Sequence, residues 1–458
     1  MNYFEIKCKL PYFGLALAFC WTYSIQRALP HTLGQISPIL VFVGTSFACI
    51  VFFIISKLLK RNISTLLPLR VGFPALAMFA IVPFALLDKV SIAPLLLGST
   101  NVLCGIIVAW LYLLWGSFYK KLAIKPVIAV LFISTMIAAG IKIILMFLAP
   151  YFIGQLLCAL LPLLSSLCWS KIQLNELPAS KSTDRFSAST LFTLASTAIG
   201  VVAFSFAIGV IRTLDLSYFS QPFFYEVISH IVEIAVCTGV LVLVYNKRED
   251  FEFSRMWFFA LLAIASGLLL SETLVGPLSS LSFAVLSASQ MIVLVFLWLG
   301  LSDVAHNSSY CSDMVFGSGW LCYCGPVALG SACTLIFGFS FKQESLALIV
   351  IYVLLIATFF FVSKKTPKDL QLLTDLNPPL SADGLDQLDK RVEVLAIQHN
   401  LTPREKEVIL LYAQGRNRPF ISESLFISEN TVRDHIRSAY RKIGIHNKQE
   451  LIDKVSNL

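Results

Sequence analysis

Charge is what this 458-residue chain has least of. Asp, Glu, Lys and Arg together make up 14% of it, against about a quarter in a soluble domain. Mean hydropathy is +0.79. Such a chain keeps most of its length out of water, which excludes an ordinary soluble globular protein. Other absences narrow the field. There is no nucleophile–base set, no glycine-rich phosphate loop and no metal-ligand spacing, and the polar residues are scattered over separate apolar runs. Neither an enzyme nor a bound metal or cofactor is expected, and no catalytic residue is assigned. The 11 cysteines imply no disulfide framework. Most, such as Cys20, Cys49, Cys104, Cys158 and Cys237, lie in apolar runs and read as packing residues. Cys322 and Cys324 are too little for a metal site. Residues 1–30 do not read as a cleaved signal peptide, because Gln26 and Arg27 interrupt the apolar run and no small-x-small site follows. They are taken as a first span. No soluble block large enough for a phosphoreceiver precedes the tail.

What is abundant is apolar sequence. A membrane span needs about 20 mostly apolar residues. About twelve runs qualify: 10–29, 38–58, 68–87, 92–115, 126–149 and 151–170, then 188–211, 223–245, 255–275, 278–301, 318–341 and 345–363. The polar stretch 171–187 divides them six and six, a plan of two halves with a shared cavity. Cations fix the orientation. Lys57, Lys60 and Arg61 follow the second run, and Lys120, Lys121 and Lys125 the fourth. Lys171, Lys181 and Arg185 follow the sixth, Lys247, Arg248 and Arg255 surround the loop after the eighth, and Lys364, Lys365 and Lys368 follow the twelfth. The alternate loops hold few, such as Lys89, Arg212 and Lys342. Both termini are therefore expected in the cytoplasm and the chain in the cell (inner) membrane. Loop 302–317 is an exception, placed inside yet lacking Lys and Arg.

The layout of the runs resembles the major facilitator superfamily. That family usually carries a Gly-rich, Asp- and Arg-bearing loop between its second and third spans. Here the loop reads Lys57-Leu58-Leu59-Lys60-Arg61-Asn62-Ile63-Ser64, a departure that counts against active transport.

Charges inside a membrane are costly and face a cavity or a partner. Glu226, His230 and Glu233 share one face of the eighth run at four- and three-residue spacing. Together with Lys142 they are expected to line an outward-facing pocket for a small, partly apolar molecule, with His230 able to make it pH-sensitive. Lys142, Arg27 and Glu272 fall at similar depth in their own runs, and the polar Asn101, Gln155 and Gln290 also lie within spans. The alternative is that these groups pair with one another or snorkel to the interface.

Residues 401–458 differ in kind. Thr402-Pro403-Arg404-Glu405 reads as a capped helix start. Val408, Ile409, Leu411 and Tyr412 follow at helical spacing, and Gly415 stops the helix. Asn417 caps a short second helix with Phe420, Ile421 and Leu425. Ser428 caps a third. Two short helices joined by Phe426-Ile427 form a helix-turn-helix. On the third helix Val432, Ile436, Ala439 and Ile443 face inward, while Arg433, Arg437 and Arg441 repeat every four residues on the other side. Gly444 ends it, and Asn447 and Glu450 frame a fourth helix with Leu451, Ile452 and Val455. An arginine row of this kind enters a major groove or is merely solvated.

The tail resembles the LuxR-type (GerE-type) DNA-binding domain of bacterial transcription regulators. The matching residues are Leu401-Thr402-Pro403-Arg404-Glu405, Glu407-Val408, Gly415, Ile421, Leu425, Ile427-Ser428-Glu429-Asn430-Thr431-Val432, His435-Ile436 and Arg441-Lys442-Ile443-Gly444. The resemblance implies that the third helix reads double-stranded DNA through Thr431, Val432, Arg433 and Arg437, with Lys442 near phosphate, and the four-residue arginine row adds Arg441 to the DNA-binding face. It also implies that the fourth helix often forms a dimer contact. Two departures are Phe420-Ile421-Ser422, where the family has Glu-Ile-Ala, and Asp434 among the DNA-facing positions. A carboxylate there repels phosphate unless it accepts from a cytosine amino group.

Between membrane and tail, Leu385, Leu388, Val392 and Leu395 make an apolar seam, either a short dimer coil or a helix lying on the tail. The expected fold is therefore all-α. A polytopic bundle of about twelve helices (6+6) spans 1–363, a linker with a short amphipathic helix spans 364–399, and a four-helix helix-turn-helix domain spans 400–458. The expected function is a membrane-tethered one-component transcription regulator, controlled by an unknown small molecule. Its expected partners are promoter DNA, the lipid bilayer, a second copy of itself on DNA, and RNA polymerase. The other reading is a secondary transporter of the major-facilitator type with a regulatory DNA-binding tail.

Overall fold

The computed structural model describes residues 9–28, 36–86, 94–148, 151–172, 188–214, 223–246, 279–337, 382–413, 418–445, 447, 450–451 and 454–455. The expected spans 255–275 and 345–363 lie outside these residues, as do Glu272, Gly415, Asn417, Ile452 and the cations at 89, 181, 185, 247, 248, 255, 342, 364, 365 and 368. The chain divides into two compact units, Met1–Thr374 and Asp375–Leu458. Every regular element among the described residues is helical.

In the first unit a 3-10 turn (Leu10–Phe13) leads into α1 (Leu15–Tyr23), which is continued by one π-helical stretch, Ser24–Ala28. Then come α2 (Ile36–Leu59), α3 (Leu67–Leu86), α4 (Pro94–Tyr119), α5 (Ile124–Leu148) and α6 (Phe152–Ser170). The second half holds α7 (Ala188–Leu214), α8 (Phe223–Asn246), α9 (Ser279–His306) and α10 (Ser312–Phe337). Five of the described helices are long and apolar enough to cross a membrane. Large apolar side chains lie exposed on the outer faces, among them Phe47, Ile50, Ile54, Phe79, Ile144, Phe147, Leu329 and Ile336. That surface is stable only in lipid, and this unit is a multi-pass membrane domain.

The packing has a two-fold logic. In the first half α1 packs on α5, and α2 on α4. Six spans later, α7 packs on α10, and α8 on α9. The halves meet through α2 on α10 and α5 on α8, contacts that exchange under the same six-span shift. Small residues permit the close approaches. A Cβ on Gly105 of α4 would lie 2.0 Å from the Val41 carbonyl oxygen of α2, and one on Gly209 of α7 would lie 2.2 Å from that of Val327 on α10.

One end of the α2–α10 interface is tied by Asp313, fully buried in the first turn of α10. Its carboxylate accepts from the Ile63 N–H at 2.7 Å, the Ser64 N–H at 2.9 Å, the Ser64 hydroxyl at 2.6 Å and the Ser56 hydroxyl at 3.2 Å. The turn between α2 and α3 carries no carboxylate of its own, and α10 supplies one.

The expected loop 302–317 is mostly helix. α9 runs on to His306 and α10 begins at Ser312, because the helices outlast the apolar run that betrays them. The Asn307 amide donates to the Asp303 carboxylate at 2.9 Å, one helical turn away. The loop needs no cation of its own, since the Lys120 ammonium donates to the Ser308 carbonyl at 3.2 Å and to that of Tyr310.

The second unit holds α11 (Ala382–Gln398), α12 (Pro403–Ala413), α13 (Arg418–Leu425) and α14 (Glu429–Ile443). Residues 450, 451, 454 and 455 are again helical. The apolar seam of α11 lies on the domain. Val392 and Leu395 are buried with Ile409, Ala439, Ile443, Ile445, Leu451 and Val455, and Leu388 packs against them. An ion pair between Lys406 and Glu393 fastens α11 to α12. Val408, Ile421, Val432 and Ile436 form a second cluster beneath α13 and α14.

Candidate functional site

α14 is a helix with both ends specified by side chains. At its start Ser428 has extended backbone, and its hydroxyl accepts from the Thr431 N–H at 3.1 Å. At its end Gly444 takes the left-handed conformation at φ 75°, and its N–H donates to the Tyr440 carbonyl at 2.9 Å. A Cβ there would be strained. Between the caps Val432, Ile436, Ala439 and Ile443 are buried. Arg433, Asp434, Arg437, Arg441 and Lys442 are exposed, and Thr431 is half-buried. Val432, expected to meet DNA, is fully buried and packs in the core.

The arginine row thus stands on one face of a helix whose other face is fixed in a core. Guanidinium groups so placed suit forked bonds to guanine O6 and N7, or to phosphate. Asp434 is exposed in the middle of the row.

α12 positions α14. Thr402 and Glu405 form a reciprocal cap: the Thr402 N–H donates to the Glu405 carboxylate at 2.8 Å, and the Glu405 N–H donates to the Thr402 hydroxyl at 3.2 Å. Lys442, expected near phosphate, sends its ammonium to Glu405 at 2.6 Å and to the Asn400 carbonyl at 3.2 Å. Burial alone would raise the Glu405 carboxyl, but Lys442 and the Thr402 N–H outweigh it and bring it down to about 2. Arg404 donates to the Leu425 carbonyl and so closes the end of α13. Phe426, in the turn before α14, takes φ 54° and is 95% exposed.

In the membrane unit the four charged residues singled out above do come together, on α5 and α8. The Lys142 ammonium lies 3.3 Å from the Glu233 carboxylate, and His230 Nδ1 lies 3.1 Å from the same group. All three are buried. Tyr23, not singled out in the sequence, completes the group. Its hydroxyl donates to Glu226 at 2.8 Å, its ring meets the His230 ring edge-on at 5.1 Å, and Lys142 lies over it at 5.8 Å. A cavity of about 10 Å³ lies beside Glu233, room for about one water. Asn101 and Gln290 lie elsewhere, bonded to Ser37 and Tyr323.

The cluster sits far from Asp313. α5 begins at the Asp313 end, and Lys142 follows Ile124 by about 18 residues, or roughly 27 Å of helix. The halves are therefore tied near both ends, by different chemistry.

Residues 399–455 match the family of bacterial regulatory proteins described as the luxR family. Spore germination protein GerE of Bacillus subtilis is 42% identical over 52 residues, 11% of this chain and 70% of that protein. Transcriptional activator protein CarR of Pectobacterium carotovorum is 41% identical over 58 residues, 13% of this chain and 24% of CarR. HTH-type regulators of Mycobacterium are 33% identical over 57 residues, and the match spans only 6% of their length. Each of these matches covers no more than 13% of this chain. In three dimensions the chain is similar to the human organic anion transporter MFSD10, with a TM-score of 0.55 at 10% identity, over 77% of this chain and 97% of that one. It is also similar to a bacterial homologue of the iron transporter ferroportin, with a TM-score of 0.50 at 13% identity, over 78% and 99%. At these identities the likeness concerns the fold, and it agrees with the major-facilitator-like layout.

Proposed function

The chain belongs, through residues 399–455, to the luxR family of bacterial regulatory proteins, and from that premise we propose that it is a membrane-tethered one-component transcription regulator. It binds promoter DNA through α14 as a homodimer, and it works alongside RNA polymerase. One observation carries the reading. A capped helix presents Arg433, Arg437 and Arg441 outward from a packed core, on the same chain as a multi-pass bundle.

The bundle is the sensor, in the cell membrane with both termini cytoplasmic. The support is the distribution of Lys and Arg along the sequence, which favours a tail in the compartment that holds DNA. The sensed small molecule acts at Lys142, Glu226, His230 and Glu233. It shifts the halves only by favouring one arrangement over the other, and it enters only when they part. The output is a change in the spacing or pairing of tails, because two weak half-site contacts gain strongly when held at the right separation.

The test is DNA selection from a random pool by the full-length protein in lipid nanodiscs. The wild type enriches a discrete two-fold sequence. The Arg433→Ala/Arg437→Ala variant enriches none. Equal enrichment by both would remove α14 as the reading element.

The transporter-like fold favours a second reading, secondary transport with a regulatory tail. Vesicle uptake of labelled compounds by a chain lacking 400–458 separates the two.

A further inference from the structure

We propose that Nε2 of His230 is a proton-binding site that governs the contact between the two halves of the membrane unit. The link from that contact to the tail rests on the regulator reading above, whereas the site itself stands on its geometry.

A carboxylate only accepts, so Glu233, 3.1 Å from Nδ1, holds the neutral imidazole with its hydrogen on that nitrogen. Nε2 is then a lone-pair acceptor. It is buried and has no hydrogen-bond partner among the described residues. Tyr23, the hydroxyl-bearing ring against the imidazole, gives its hydrogen to Glu226 instead. A buried acceptor without a donor is costly, and a proton is the smallest species that satisfies it.

Among the described residues the charged and titratable neighbours lie on three helices. α8 itself contributes Glu226, Glu233 and Cys237, α5 contributes Lys142, and α1 contributes Tyr23 and Cys20. α9 presents Met291, Ile292, Val295 and Phe296 around the cavity. A water-sized cavity admits a hydrated proton and no organic ligand.

The step is a simple transfer. Hydronium gives its proton to the Nε2 lone pair and leaves as water, and the ring becomes an imidazolium. Imidazolium and the Lys142 ammonium then share one carboxylate and repel each other in a buried site. Lys142 belongs to the first half, and His230 and Glu233 to the second. The bond that weakens is therefore the one between halves. Asp313 at the far end takes neutral N–H and O–H donors, so among the described residues no pair of cations competes for its carboxylate.

The test measures the distance between spin labels at the exposed positions Ile144 on α5 and Ile231 on α8, in the full-length protein in nanodiscs, from pH 8 to pH 5. The wild type lengthens reversibly with a one-proton midpoint. His230→Gln, which keeps a donor for Glu233 but does not titrate, holds the high-pH distance throughout. Lys142→Met, which removes the competing cation, gives a second pH-independent distance and serves if the first variant does not fold. A wild-type distance unchanged by pH overturns the proposal, as does a wild-type-like shift in either variant. DNA binding is measured on the same samples. A distance shift without altered DNA binding leaves the proton site standing and breaks its link to the regulator reading.

Discussion

Lys442, near the end of α14, closes an ion pair of 2.6 Å with Glu405 in the first turn of α12. Glu405 also caps its own helix through the Thr402 N–H. One carboxylate therefore sets both the start of α12 and the seat of the DNA-facing helix.

Glu405→Gln should destabilise the tail by about 1.5–3 kcal/mol, the range for a hydrogen bond to a charged group. The measurement is amide hydrogen exchange of α12 and α14 in the full-length protein. The effect has a defined pH sign. Because the folded value is pushed down to about 2 from 4.5, the wild-type advantage is complete above about pH 4.5 and is lost as pH falls through about 2. The variant should show no such step.

Arg433→Ala and Arg437→Ala should each weaken specific DNA binding by about 1–3 kcal/mol where the side chain reads a base. A side chain on phosphate should instead lower the salt slope by about one without changing sequence preference. Both residues are exposed, so helicity should be unaffected. Titrations at two salt concentrations tell the cases apart.

Leu395→Ala should cost about 2–5 kcal/mol, since the side chain is 1% exposed in the core shared with Ile409 and Leu451. α11 should exchange its amides faster than α12 does. Equal protection in both would mean that α11 is held by something other than this core.

Asp313→Ala should lower the thermal midpoint of the membrane unit in detergent. It strands the Ile63 and Ser64 N–H groups in a buried site, at about 1–3 kcal/mol for each unpaired donor. Asp313→Asn, which keeps an acceptor oxygen, should fall less.

Much of this was legible in the sequence where the physics is local. Caps at Thr402, Ser428 and Gly444 depend on a few neighbouring residues, and so does the division of α14 into buried and arginine faces. Periodicity found the seam at Leu388, Val392 and Leu395, but it carries no information on what covers a seam. Ile409 and Leu451 do, and only tertiary structure shows it. The resemblance puts Lys442 near phosphate by position alone. One residue along a helix turns a side chain by about 100°, enough to bring it to Glu405. Val432 was carried to the DNA face by resemblance, while its 3.6-residue period already placed it in the core. In the membrane, Glu226, His230, Glu233 and Lys142 stood out because charge is rare there. Tyr23 did not, since one tyrosine in an apolar run carries no such signal. Its neighbours Ser24, Gln26 and Arg27, in a stretch that proves π-helical, were the available hint.

The central claim is that this chain regulates genes from the membrane. The most direct measurement is a genome-wide map of DNA crosslinked to the full-length protein, beside the Arg433→Ala/Arg437→Ala variant at equal abundance. The account predicts discrete promoter sites in the wild type that vanish in the variant. An empty map, or sites that persist unchanged in the variant, would contradict it.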